Sequence, residues 1–247
     1  MDKEFLSNLS YATFLSLNHG SSAGSGFRLS YKGATYLITA KHVLFDEKDD
    51  LRCETLLITS QNSRGVENDI RNIVIDMMHA KTYKSDENDI AAVLIETADY
   101  ITVQQEGENI INADSESTRP LDQIGISNEV FLVGFPTSLI FQDSQYFEVN
   151  RPLLRKGIIA GVNAKNKTFI IDCSAYYGNS GGPIIELCED GLLRLIGIVS
   201  RYIPFVTEWK NNREPSISHT EFYNSGYSVC VPIDAVFLLL DGIAEVI

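Results

Sequence analysis

The stretch Tyr176 to Ile185, YYGNSGGPII, constrains this chain more than any other, because it seats one serine among glycines at a sharp turn and then enters an apolar strand. A serine hydroxyl near its ordinary pKa is a weak nucleophile. It needs an imidazole to take its proton and fixed donors to hold the oxyanion that forms. Gly178, Gly181 and Gly182 permit backbone angles closed to other residues, so the amides of Gly178 and Ser180 can aim at one spot beside the Ser180 hydroxyl. A glycine-rich β-turn without chemistry fits the same letters, so the rest of the chain has to decide.

Two further stretches bear on that choice. GSGFRLSYKGATYLITAKHVL reads as a hairpin turning at Lys32-Gly33, whose second arm runs through Thr39, Ala40 and Lys41 into His42. Downstream, an acidic polar loop brings Asp89 to the mouth of the apolar strand Ile90 to Ile95. A carboxylate at such a boundary is costly unless paired, and an imidazole N–H would satisfy it; strand capping is the plainer use. Asp46, Glu47, Asp49 and Asp50 lack both the ligand spacing and the glycine of a calcium loop, and read as a solvated loop.

Short strands and turns dominate elsewhere. Strands are expected at Thr55 to Ser60, Ile70 to Asp76, NEVFLVG, TFIIDCS, Pro183 to Leu187, Leu192 to Val199 and Val229 to Pro232, in antiparallel sheets. Phe5, Leu6, Leu9, Phe14, Leu15 and Leu17 are spaced for a short helix leading into a strand. The polar stretch Thr97 to Gln123 reads as the crossing between two halves, and Pro204 to Gly226 as a long irregular loop walling a site. Pro232 and an apolar stripe make IDAVFLLLDGIAEVI a closing helix.

Composition excludes some classes. With 20 Lys and Arg against 33 Asp and Glu, the chain lacks the basic surface that phosphate binding needs, so no nucleic-acid partner is expected. No apolar run reaches transmembrane length, and the first residues lack the basic start and apolar core of a signal peptide, so the cytoplasm is expected and no membrane. Cys53, Cys173, Cys188 and Cys230 form no CxxC pair, which suits reduced thiols rather than zinc or a disulfide framework. No metal or other cofactor is expected.

TAKHV, DIAAVLI and GNSGGP in that order make the chain resemble the chymotrypsin-like serine proteases, and among them the HtrA-type and stand-alone bacterial enzymes. The order His, Asp, Ser separates this class from α/β-hydrolases, which need an acid and a histidine after the serine; here only His219 follows. The resemblance implies an all-β fold of two antiparallel barrels with the active site in the cleft between them. The match covers roughly Gly24 to Pro232, and residues 1–247 are read as one protease domain, with barrels over about 10–110 and 120–232 and a helix over 233–247.

The resemblance implies a triad of His42, Asp89 and Ser180, and an oxyanion hole from the amides of Gly178 and Ser180. It places a specificity pocket between Ser174, Ala175 and Tyr176 on one side and Ser200, Arg201 and Tyr202 on the other. Ser174 stands where an acid would select basic residues, so small or medium apolar residues are expected before the cleaved bond of a protein or peptide substrate. His79 matches a structural histidine of the family. Asn179 replaces the aspartate that secreted members use to capture a freed amino terminus, so that switch is expected to be absent, and the loop about Ser174 to Gly178 to be ordered by a partner or ligand. An alternative reading is a dormant protease fold kept as a scaffold or binding module.

Overall fold

The structure is a computed structural model that describes residues 8–20, 22–62, 69–96, 99–139, 146, 148, 150–211 and 218–244. Its first sheet comprises β1 (Ala12–Leu17), β2 (Ser22–Tyr31), β3 (Ala34–Thr39), β4 (Thr55–Gln61), β5 (Ile70–Asp76), β6 (Thr82–Lys84), β7 (Ala91–Leu94), β8 (Ile101–Gln105) and β9 (Ala113–Asp114). They run in the order β6-β7-β3-β2-β1-β4-β5-β8, with β9 parallel to the end of β2. The second sheet comprises β10 (Glu129–Gly134), β11 (Leu153–Asn163), β12 (Thr168–Asp172), β13 (Pro183–Leu187), β14 (Leu193–Lys210) and β15 (Ser218–Pro232). It closes as a barrel, β10-β11-β12-β15-β14-β13, with β13 returning to β10.

The all-β expectation therefore holds: two curled sheets and a carboxy-terminal helix, α2 (Ile233–Ala244), the short α1 (Lys41–Leu44) lying between β3 and β4. Only the second sheet is closed. The first curls as a half-barrel whose terminal strands β6 and β8 do not pair among the described residues.

Local chemistry explains much of this. Lys32 and Gly33 both take positive φ, 47° and 83°, as a two-residue hairpin turn demands, so β2 and β3 pair from Gly26 opposite Thr39 to Tyr31 opposite Ala34. One apolar core joins the halves: Phe27, Leu37, Ile38 and Val93 of the first sheet pack with Val133, Ile185, Leu195 and Val231 of the second, and with Val236 and Leu240 of α2. The helix is also latched to the first hairpin. Phe237 stacks on Tyr31 at 4.9 Å, and Tyr31 Oη and Lys32 Nζ both donate to Asp241 Oδ1 at 2.7 Å.

Inside the barrel, the fully buried Glu186 carboxylate accepts from Gly125 N and Asn128 Nδ2 and pairs with Arg119 at 3.2 Å. This ties the segment that crosses between the halves onto β13.

Three expectations need correction. Phe14, Leu15 and Leu17 lie in strand β1, not a helix; β1 is central, covered on both faces, and a short apolar run cannot be told from a helix by its period. Phe5 and Leu6 fall outside the described residues. The crossing at Thr97 to Gln123 carries strands β8 and β9, their apolar content being too sparse to announce them. Residues 204–210 and 218–226 are not an irregular loop, 212–217 lying outside the described residues: β14 and β15 continue far beyond the barrel as a two-stranded ribbon, paired from Pro204 opposite Asn224 to Lys210 opposite Ser218. Its polar residues and its exposure on both faces erase the one-sided alternation by which strands are recognised.

Candidate active site

His42 sits in α1, a single turn that begins as β3 ends. Its ring Nδ1 lies 2.8 Å from Asp89 Oδ2, and its backbone amide donates to Asp89 Oδ1 at 3.0 Å. The Ser200 hydroxyl donates to the same Asp89 Oδ2. Burial pushes the Asp89 carboxyl up, but the His42 hydrogen bond and charge, the Ser200 hydroxyl and the His42 amide outweigh it and hold it at about 2. An ionised, three-way-bonded Asp89 fixes the imidazole orientation, while half of the His42 side chain remains open to solvent.

The serine side is built from backbone. Asn179 N donates to Tyr176 O at 2.9 Å, and Gly178, third in that turn, has φ 94°, which makes the turn type II. A side chain there would clash as well as strain, since a Cβ would lie 2.3 Å from Phe135 O. Gly181, φ 84°, is as constrained: its Cβ would meet Ser25 O and Thr39 Oγ1 at 2.3 Å. Gly182 is required for space alone, its φ being ordinary.

The first sheet grips this loop through one residue. Ser25 N donates to Ser180 O at 3.0 Å, and Ser25 Oγ donates to Gly178 O at 2.6 Å while accepting from Phe135 N at 2.9 Å. With the Gly178 carbonyl held inward, no acceptor among the described residues takes the Gly178 or Ser180 amide. Both residues line a cavity of about 630 Å³, and His42 faces it too. Ser180 Oγ donates to Ser200 O at 3.1 Å and not to the imidazole.

Of the expected pocket residues, Ala175, Tyr176, Ser200, Arg201 and Tyr202 line that cavity. Ser174 does not. Its Oγ stands with Asp172 Oδ1 beside Gly226, each 3.9 Å from where a Cβ on that glycine would lie. The wall is stitched to β15: Asn224 Nδ2 donates to Ala175 O at 2.7 Å, and Ser228 Oγ accepts from Ala175 N and donates to Cys173 O. Tyr177 and Tyr202 meet edge to face at 6.3 Å across the mouth. His79 is remote from this chemistry, exposed and bonded to Asp76 at 2.8 Å.

Sequence reasoning missed Ser25, Ser200 as a partner of Asp89, and Arg52, whose Nη1 donates to His42 O at 2.6 Å. Ser25 lies inside the GSGF stretch already singled out, yet its partner Gly178 is 153 positions away, and no local pattern reports that.

A family profile described as a trypsin-like peptidase domain matches residues 24–198. Among curated proteins, none matches the sequence significantly. Among solved structures, the serine endoprotease from Yersinia pestis is similar at 18% identity and TM-score 0.58, over 98% of this chain and 65% of that one. The HtrA-type protease AlgW with tripeptide is similar at 19% and 0.58, over 98% and 62%. Deg5 is similar at 17% and 0.54, over 96% and 93%. The chain thus spans a little under two thirds of the first two, and at these identities the likeness concerns the fold.

Proposed function

The chain belongs to the trypsin-like peptidase domain family, a family of serine endopeptidases, and from that footing we propose that it hydrolyses peptide bonds of protein or peptide substrates through His42, Asp89 and Ser180. Ser180 attacks the carbonyl, His42 takes the serine proton and returns it to the leaving amine, and Asp89 holds the imidazole tautomer and stabilises its charged form. The observation that carries this reading is the pair of unclaimed amides, Gly178 and Ser180, on the same cavity as a histidine already bonded to an ionised aspartate. Catalysis then needs the Ser180 hydroxyl to leave Ser200 O for the imidazole, a tightening common when substrate binds.

The side chain preceding the cut bond enters between Ala175-Tyr176 and Ser200-Tyr202, and the chain before it pairs along Ser200 to Tyr202. Tyr177 and Tyr202 narrow the entrance, which favours small or medium apolar residues; a peptide library showing strong preference for lysine or arginine would overturn that. Asn179 is buried with its Oδ1 unpartnered, and a neutral amide tolerates this where a carboxylate would demand a buried cation, so no new amino terminus is needed for activation. Any partner or ligand control would act on Ser174 to Gly178. The four cysteines are all free, three of them buried, which favours a reducing, cytoplasmic setting.

A fluorophosphonate probe tests the proposal: it should label the protein and not Ser180→Ala. Labelling of neither would favour the second reading, a dormant scaffold, for which the engagement of the Ser180 hydroxyl by Ser200 O is the supporting observation.

A further inference from the structure

The outer halves of β14 and β15 leave the barrel as a ribbon that exposes large apolar side chains on both faces. Phe205 stands opposite Tyr223 on one face, with Trp209 four positions on along the same face; Val206 stands opposite Phe222 on the other. These five side chains are between 46% and 66% exposed, and none belongs to either core cluster. Apolar surface of this kind marks an interaction site.

The geometry of the edge says what fits. β13 leaves β14 at Ile198, and from Ser200 to Lys210 no strand among the described residues pairs with that side of β14. At its inner end this open edge is the cavity wall itself, Ser200, Arg201 and Tyr202, beside Ser180. A globular partner docking on one face would leave the other bare. A strand added along the edge covers both, because its side chains alternate and become cross-strand neighbours of Phe205 and Trp209 on one side and Val206 on the other. Added strands also take up the unpaired backbone groups that make a free edge a liability.

We infer that the ribbon is a receiving edge for the part of the substrate that precedes the cleaved bond: an extended, unfolded polypeptide with apolar or β-branched side chains at alternating positions. The inference rests on the serine-protease reading of the cleft and extends it outward. Ser200 to Lys210 spans roughly 33 Å of extended chain. A bulge between Tyr202 and Pro204, whose residue Pro204 lacks an N–H, divides the pairing into an inner stretch at the cleft and an outer one on the ribbon. A substrate must therefore offer about ten loose residues ahead of the bond. Folded proteins without such a tail would be poor substrates.

The test uses two fluorescent peptides with the same residues around a cleaved leucine, one of four residues and one of about fourteen with alternating valine and threonine ahead of it. Binding is measured by anisotropy on the full-length Ser180→Ala protein, and fluorophosphonate labelling is followed on protein with Ser180 intact. The long peptide should bind at least about tenfold tighter, and F205S/W209S should remove most of that difference without changing the labelling rate. Equal binding of both peptides, or binding unaffected in F205S/W209S, would overturn the inference. So would sedimentation showing that the protein is a dimer which F205S/W209S dissolves, since the occupant would then be a second copy. Failure of labelling would count against the protease reading, while anisotropy would still report on the ribbon.

Discussion

The two walls of the proposed catalytic cleft are held in different ways. On the histidine wall, side chains do the positioning: Asp89 is bonded by the His42 ring, the His42 amide and the Ser200 hydroxyl. On the serine wall, backbone does it: Gly178 and Gly181 occupy conformations and spaces that admit no side chain, and Ser25 clamps the loop from the opposite sheet. Polar positioning can be dismantled one bond at a time and is tuned by pH. Steric positioning has no intermediate setting, because a backbone that cannot close leaves no loop to tune.

Substitution at Gly181 is the strongest way to break the serine wall. Gly181→Ala should cost about 4 kcal/mol or more, because strain at positive φ adds to collisions with Ser25 O and Thr39 Oγ1. Urea unfolding should show a lowered midpoint or little folded protein, and a variant of wild-type stability would refute the steric account. On the histidine wall the expected loss is catalytic instead. Asp89→Asn should lower kcat about a thousand- to ten-thousandfold by favouring the wrong tautomer, while the same unfolding curve moves far less; comparable losses in both measurements would erase the contrast.

Ser25→Ala tests where the walls meet. It removes a donor to Gly178 O and an acceptor from Phe135 N, so it should cost about 1–3 kcal/mol in stability. It should also slow kcat about tenfold with little change in KM, since the proposed oxyanion donors, the Gly178 and Ser180 amides, lose alignment rather than the pocket its shape. A rise in KM alone would assign Ser25 to substrate binding. The smallest effect is that of acid. Because the fold holds the Asp89 carboxyl at about 2, below its ordinary 3.8, its ionised form stabilises the folded state. That contribution is complete above pH about 4 and is lost as pH falls through about 2. The difference in unfolding midpoint between wild type and Asp89→Asn should therefore shrink between pH 5 and pH 2, and a constant difference would contradict it.

What could be read beforehand follows the same division. The steric wall writes itself into local sequence, because glycines flanking a serine serve few other purposes; GNSGGP and the Lys32-Gly33 turn were legible for that reason. His42 and Asp89 were legible as the ends of recognisable strands. Ser25, and Ser200 as a partner of Asp89, were not, since the bonded groups lie 153 and 111 positions apart and nothing nearby demands them. The ribbon was misread for a different reason. Strand recognition relies on one wet and one dry face, and Phe205, Val206 and Phe222 expose apolar groups on both.

The latch between α2 and the first hairpin bears on when such an enzyme becomes dangerous to its surroundings. Tyr31 and its partner Asp241 are 210 positions apart, so during synthesis the hairpin that leads to His42 emerges long before the helix that pins it to the second half. Contacts this distant form late. The cleft thus acquires its full rigidity only after Asp241 has been made, and a ribosome-bound fragment that stops short of it carries the ingredients of a protease without the frame that aligns them.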